Sequence, residues 1–217
     1  SKQLIQSYGV KTPIVAVSNG IDLSKYKKDP KKEEVFRKHF NIQEGEKVVL
    51  CAGLYFRRKG IEDFVEVARR MPDVRFIWLG SINKWLIPCA IRRLVEKDHP
   101  SNVEFPGYFK GAVFQGAMTG ADAFFFPSYE ETEGIVVLEA LAAHQHVVLR
   151  DIPVYHGWVD QESAELCHSV DEFVDSLEKV LSGQVDKRDA GDRVAQSRSI
   201  DLVADQLVKA YQQVLEM

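Results

Sequence analysis

The sequence predicts an α/β domain, a Rossmann-like doubly wound parallel sheet. Three observations predict it. Short, continuous apolar runs recur along the chain, as expected of strands buried on both faces. Stretches with helical apolar spacing alternate with them. The connections are short and carry Gly, Pro, Asn and Ser, so each unit closes as a right-handed strand–helix–strand crossover.

Residues 13–17 read as a short strand closed by the turn Ser18-Asn19-Gly20. Residues 24–38 are polar and lysine-rich, and a helix is expected over 33–39. The run 48–52, ending at Gly53, reads as a buried strand. Ile61, Phe64, Val65 and Ala68 share one face of a helix over 61–71. A second buried strand covers 74–79 and ends at Gly80, and 83–97 reads as a helix interrupted by Pro88. Strands follow over 103–105, leading into Pro106-Gly107, and over 123–126, closed by Pro127-Ser128. A helix over 135–143, a strand over 147–149 and a helix over 170–181 come next. Residues 183–199 are polar, and 200–215 form a last amphipathic helix.

Composition narrows the function classes. The 217 residues suffice for one domain with a buried core, and 45% apolar with 28% charged residues reads as globular. A net charge of −4 gives no reason to expect nucleic-acid binding. Cys51, Cys89 and Cys167 lie far apart, which argues against a disulfide framework or a structural zinc site and fits a reducing cytosol. No apolar run approaches the roughly 20 residues of a membrane-spanning helix, and no signal peptide is expected. The start, Ser1-Lys2-Gln3-Leu4-Ile5, lacks Met and reads like the inside of a helix, so the chain is expected to begin within a longer protein. The stretch 84–94 mixes Trp85, Leu86, Arg92 and Arg93 as an interfacial segment does, but it reads better as a surface helix with Leu86, Ala90, Ile91 and Leu94 on the sheet.

In such folds ligands bind at the carboxyl ends of the strands. Three segments fall there. Gly53-Leu54-Tyr55-Phe56-Arg57-Arg58-Lys59-Gly60 places three cations before a helix, where they can neutralise a diphosphate leaving group. By itself the segment is better explained as a solvated basic loop. Phe105-Pro106-Gly107-Tyr108-Phe109-Lys110 ends a strand in a glycine turn with two aromatics. A nucleobase can lie there, although a core-capping turn explains it as well.

The third segment, from Pro127 to Ala140, carries most. Acids fill the loop and Gly134 opens an apolar helix. Unpaired amides around Gly134, Ile135 and Val136 suit a phosphate. Glu139 leans toward the helix start and can accept from two ribose hydroxyls. Glu131 can accept from sugar hydroxyls. The helix dipole explains Glu130, Glu131 and Glu133 as well, but not Glu139, which interrupts an apolar face.

Glu131 and Glu139, with seven residues between them, resemble the paired glutamates of family 4 glycosyltransferases of the two-domain GT-B fold. Pro127, Gly134, Leu138 and Ala140 stand at that family's places. Val17-Ser18-Asn19-Gly20-Ile21-Asp22 resembles the element opening its second domain, Arg58-Lys59-Gly60 its phosphate-binding element, and Gly107-Tyr108-Phe109 its base-binding turn. The resemblance implies the C-terminal half of a GT-B fold, with 1–12 ending a preceding region, 13–199 binding a nucleotide sugar and 200–217 a C-terminal helix. It implies catalytic roles for Glu131, Lys59 and Arg58. Glu139, Gly134, Ile135, Val136, Phe109 and Gly53 would bind the donor. No metal or cofactor is expected. His144 and His146 look like a metal pair, but they stand two apart without a third ligand. One departure is Leu54, where the family has arginine; Arg57 or Arg58 is the candidate replacement.

Residues 130–142, with Arg150-Asp151-Ile152-Pro153-Val154-Tyr155 and Trp158, further resemble the glucosyl-diacylglycerol glycosyltransferases of Gram-positive bacteria. That implies a retaining hexosyltransferase using UDP-glucose or UDP-galactose, with a glycolipid acceptor met through a missing N-terminal domain. It implies a cytoplasmic protein and leaves open peripheral contact with the inner face of the cell membrane. The alternatives are a glycogen-synthase-like glucan glucosyltransferase and a non-catalytic nucleotide-sugar-binding module.

Overall fold

The computed structural model describes residues 2–215; Ser1 and the last two residues of the expected 200–217 segment lie outside them. The chain runs α1 (Lys2–Ser7), α2 (Pro30–His39), β1 (Val48–Ala52), α3 (Ile61–Arg70), β2 (Arg75–Leu79), α4 (Cys89–Glu96), β3 (Val103–Gly107) and α5 (Ala112–Gly120). It continues through β4 (Ala123–Phe126), α6 (Ile135–Ala142), β5 (Val147–Arg150), β6 (Glu165–Cys167), α7 (Val170–Leu181), α8 (Arg188–Gln196) and α9 (Ile200–Leu215).

The strands form one parallel sheet in the order β3-β2-β1-β4-β5-β6. β1 and β4 sit side by side at its centre, with Val49 opposite Ala123, and every residue of both is buried. That double-sided burial is why they read as unbroken apolar runs. Helices pack in two groups, α3 with α4 and α7, and α5 with α2 and α6, with α8 on α6. Between α3 and the sheet, the Phe64 ring meets Phe76, Trp78 and Phe125 at 5.5, 5.0 and 5.8 Å. Strand order reverses between β1 and β4, so the crevice of a doubly wound sheet opens above their carboxyl ends.

Several expectations need correction. Residues 13–17 form no strand; Val15 is exposed, and the chain there pairs only through Ile21, in a one-residue bridge to Ser199 at the head of α9. An apolar run without a neighbouring strand has nothing to bond to. The helix over 83–97 splits at Pro88 into a 3-10 turn, Lys84–Leu86, and α4. Ile91 is buried and Leu94 half-buried, but Leu86 is 67% exposed and Ala90 is exposed too. The polar stretch 183–199 contains α8, whose buried residues are Gly191 and Ala195. Small residues give no apolar stripe. α5 is likewise hidden by Gly116 and Gly120; a Cβ on Gly116 would stand 2.0 Å from the Lys32 carbonyl oxygen, so glycine is what lets α5 meet α2. β6 is too short to signal itself.

Candidate functional site

The loop after β1 and the loop after β4 meet above the centre of the sheet. The 3-10 turn Arg57–Lys59 ends at Gly60, whose φ of 76° lies in the left-handed region. A Cβ there would stand 2.2 Å from the Pro127 carbonyl oxygen, so glycine permits this approach. The Tyr129 amide donates to the Arg58 carbonyl at 2.8 Å, which locks the loops together.

This contact brings Lys59 onto Glu131, 2.5 Å from Nζ to Oε1, with only 12% and 7% of the side chains exposed. Ser128 Oγ donates to the same carboxylate oxygen at 2.8 Å. The ammonium also lies 5.4 Å above the Phe126 ring. Arg58 is exposed; it donates to the Glu130 carbonyl at 3.0 Å, while Arg57 pairs with Glu62 on the surface. Leu54 leaves an exposed apolar side chain where the resemblance to the family implied an arginine.

Gly134 starts α6 with φ 79° and no side chain caps it. The first amides of α6, from Ile135 and Val136, therefore face the crevice without an intrahelical acceptor. Glu139, one turn on, accepts a hydrogen bond from the Tyr26 hydroxyl. Burial pushes the Glu139 carboxyl up, and the Tyr26 bond acts against that shift. The Tyr26 phenol is pushed up by burial and then by Glu139, so the tyrosine is the donor.

Beside them a cleft of about 210 Å³ is lined by Gly53, Leu54, Gly80, Tyr108, Phe109 and Val136. Gly53 is fixed through both backbone groups, donating to Leu79 and accepting from the Trp78 indole, each at 2.9 Å. The Phe109 ring packs on His39 and Phe40 at 4.9 and 5.6 Å, which holds the backbone of this turn in place. The Gly107 amide donates to the Tyr55 hydroxyl at 3.2 Å. His144 and His146 lie elsewhere, at the amino end of β5, each near an aspartate.

Three supports were not legible in the sequence. Glu133 accepts from the Ser18 hydroxyl and from the backbone and side chain of Asn19, with Arg198 at 3.5 Å, and so ties the acidic loop to both ends of the chain. Arg150, 8% exposed, donates to the Pro127 carbonyl at 3.0 Å and to Asp63, and stacks 3.9 Å from the Tyr129 ring. Tyr26 holds Glu139. Ser18 and Asn19 lie 115 and 114 residues from Glu133, Tyr26 lies 113 from Glu139 and Asp63 lies 87 from Arg150, so no local spacing announces these contacts.

The family described as Glycosyl transferases group 1 matches residues 32–197. The processive diacylglycerol alpha-glucosyltransferase of Acholeplasma laidlawii is 49% identical over the whole of this chain and 66% of its own length. The alpha-galactosylglucosyldiacylglycerol synthase of Streptococcus pneumoniae is 28% identical over 65% of this chain and 39% of its own. The chain thus spans under two thirds of both relatives. Among solved structures, sucrose-phosphate synthase from Thermosynechococcus elongatus superposes with a TM-score of 0.84 at 20% identity, over 99% of this chain and 56% of that one. Anabaena HepE, solved with UDP-glucose, gives 0.82 at 16%, over 98% of this chain and 61% of that one. With the sheet order, the crevice and the family's pattern in agreement, this chain belongs to the group 1 glycosyl transferases.

Proposed function

We propose that this chain is the donor-binding part of a retaining hexosyltransferase that moves glucose or galactose from a UDP-sugar to a glycolipid built on diacylglycerol. The observation that carries this reading is the buried Lys59–Glu131 pair beside the uncapped start of α6. The α6 amides would meet the diphosphate, together with Lys59, whose ammonium has three donors and would turn from Glu131 toward a phosphate. As the sugar bond breaks, negative charge grows on the departing UDP, and these fixed donors stabilise it. Arg58 stands at the outer edge of the same loop. Glu131 would hold sugar hydroxyls and Glu139 the ribose. The cleft of Gly53, Tyr108 and Phe109 would take the base.

The acceptor is argued from the Acholeplasma relative, named for making an α-glucoside on diacylglycerol. UDP-glucose is itself an α-glucoside, so an α product keeps the configuration. Attack from the face of the leaving group allows the phosphate to take the acceptor proton, and no side chain of this chain need act as base.

Calorimetric titration with UDP, ADP, GDP and their hexose conjugates tests the proposal. Binding of UDP and UDP-hexose, with weak or no binding of ADP-glucose, is the expected result. Preference for ADP-glucose would favour a glucan synthase, and no nucleotide binding would refute the assignment. The chain alone is expected to transfer nothing, because the acceptor side of the cleft is expected in the part of the relatives' length that this chain does not span.

A further inference from the structure

The loop after β5 sits next to the acidic loop and contributes a buried group that the proposed chemistry leaves unused. Tyr155 is fully buried, and its hydroxyl has no hydrogen-bond partner. Buried hydroxyls are ordinarily paired, because leaving one unpaired costs about 1–3 kcal/mol. Its place is informative. A Cβ built on Gly134 would stand 2.8 Å from the ring edge of Tyr155 and 3.0 Å from its hydroxyl oxygen. The phenol therefore fills the space that glycine leaves open, directly under the first residue of the phosphate-facing helix. Burial, and then the charge of Glu131, push this phenol up, so it is a donor at any physiological pH. In the free chain Glu131 is held by Lys59 and Ser128, and the tyrosine contributes nothing to it.

We propose that Tyr155 is a positioning residue for Glu131: when a donor draws Lys59 toward its diphosphate, the Tyr155 hydroxyl donates to the Glu131 carboxylate and holds it on the transferred sugar. This rests on the donor-site assignment above. The hydroxyl is a reserve partner, unpaired without donor and paired with it.

Tyr155→Phe tests it, since the ring and its packing under Gly134 remain. Melting curves and titrations with UDP and with UDP-glucose are read on the same chain. The free variant is expected to melt at or above the wild-type temperature, because it loses an unpaired buried hydroxyl. UDP affinity should be unchanged, and UDP-glucose affinity should fall about tenfold, or about 1.4 kcal/mol. In a Glu131→Ala background the same substitution should have no further effect on UDP-glucose, because the tyrosine acts through that carboxylate. Tyr155→Leu, which also removes the ring, should lower the melting temperature and weaken both ligands.

Equal loss of UDP and UDP-glucose in Tyr155→Phe would make the hydroxyl a phosphate or scaffold contact and overturn the proposal. So would a lower melting temperature with unchanged binding, which would reveal a structural partner. Additive effects with Glu131→Ala would overturn it as well. A wild-type chain that binds no uridine nucleotide would defeat the donor-site assignment and this inference together. Wild-type binding with an unaffected Tyr155→Phe would defeat the inference alone.

Discussion

Glu139→Gln should make the free protein more stable and a poorer binder of UDP. The substitution keeps the shape of the side chain and removes its charge. Glu139 is half-buried in a helix whose neighbouring residues Val137, Leu138, Ala140 and Leu141 are fully buried, and burial raises its carboxyl above the ordinary 4.5. An acid whose value is raised by folding contributes stability that is full below its unfolded value and is lost as pH rises through the folded one. The wild type should therefore lose this contribution on going from about pH 4 to pH 8, while the neutral glutamine does not. The melting-temperature advantage of Glu139→Gln should be near zero at the acid end and grow toward neutrality. Binding should move the other way. Hydrogen bonds to a charged acceptor contribute about 1.5–3 kcal/mol and those between neutral groups about 0.5–1.5. Exchanging one kind for the other at two ribose hydroxyls should cost about 2–3 kcal/mol, roughly thirty- to 150-fold in Kd. Melting curves across pH and UDP titration at pH 7.5 measure both. If the variant melts below wild type at neutral pH, the Tyr26 bond outweighs burial and the electrostatic reasoning fails. If UDP binds unchanged, Glu139 is not the ribose contact.

Glu131→Ala should leave UDP binding nearly intact while UDP-glucose binding falls to the level of UDP, read by the same titrations. Lys59→Ala should weaken UDP binding more at low salt than at high salt, since a charge–phosphate contact is screened as ionic strength rises; equal loss at both points to a folding defect. Gly60→Ala should destabilise strongly, because a left-handed alanine costs about 1–2 kcal/mol before its Cβ, 2.2 Å from the Pro127 oxygen, forces the two loops apart; a wild-type melting curve would refute that contact. Arg150→Ala should cost about 3 kcal/mol or more by leaving the Asp63 charge only its Tyr129 hydroxyl and the Pro127 carbonyl no guanidinium donor, measured by urea unfolding.

What the sequence made legible is what neighbours in the chain decide. The central strands could be read because burial on both faces leaves no polar residue in 48–52 or 123–126. The turn glycines Gly60 and Gly134, and the glutamates Glu131 and Glu139, could be read because their spacing along one loop and one helix fixes their relation. Helix α8 escaped because its buried residues are glycine and alanine, which pack by close approach rather than by apolar area, and α5 because Gly116 and Gly120 interrupt its apolar residues. The supports of the site escaped for a different reason. Arg150 reads as the polar end of a strand, and only the fold discloses that its guanidinium lies under Pro127 and against Tyr129.

That division bears on how the site is built. The residues proposed to touch the donor sit on two adjacent loops and one helix start, each recognisable locally. What holds them at working distance comes from everywhere else: Tyr26 on Glu139, Asn19 and Arg198 on Glu133, Arg150 on Pro127, and Tyr155 beneath Gly134. Glu133 makes the point most directly. Its neighbours Glu131 and Gly134 carry the proposed chemistry, yet its own carboxylate is fastened to the segment before Ile21 and to Arg198, two residues ahead of α9. A displacement of either segment would pull on the acidic loop two residues from α6. The segments at Ser18-Asn19 and at Arg198 are therefore joined to the acidic loop through one side chain, and Glu133→Gln should loosen that joint while leaving the Lys59–Glu131 pair in place. Hydrogen exchange reads the difference: faster exchange at Ile21 and Ile200, whose amides close the bridge between the two ends, with unchanged protection in β1 and β4, is the expected pattern. Unchanged exchange at both amides would show that the bridge stands without Glu133.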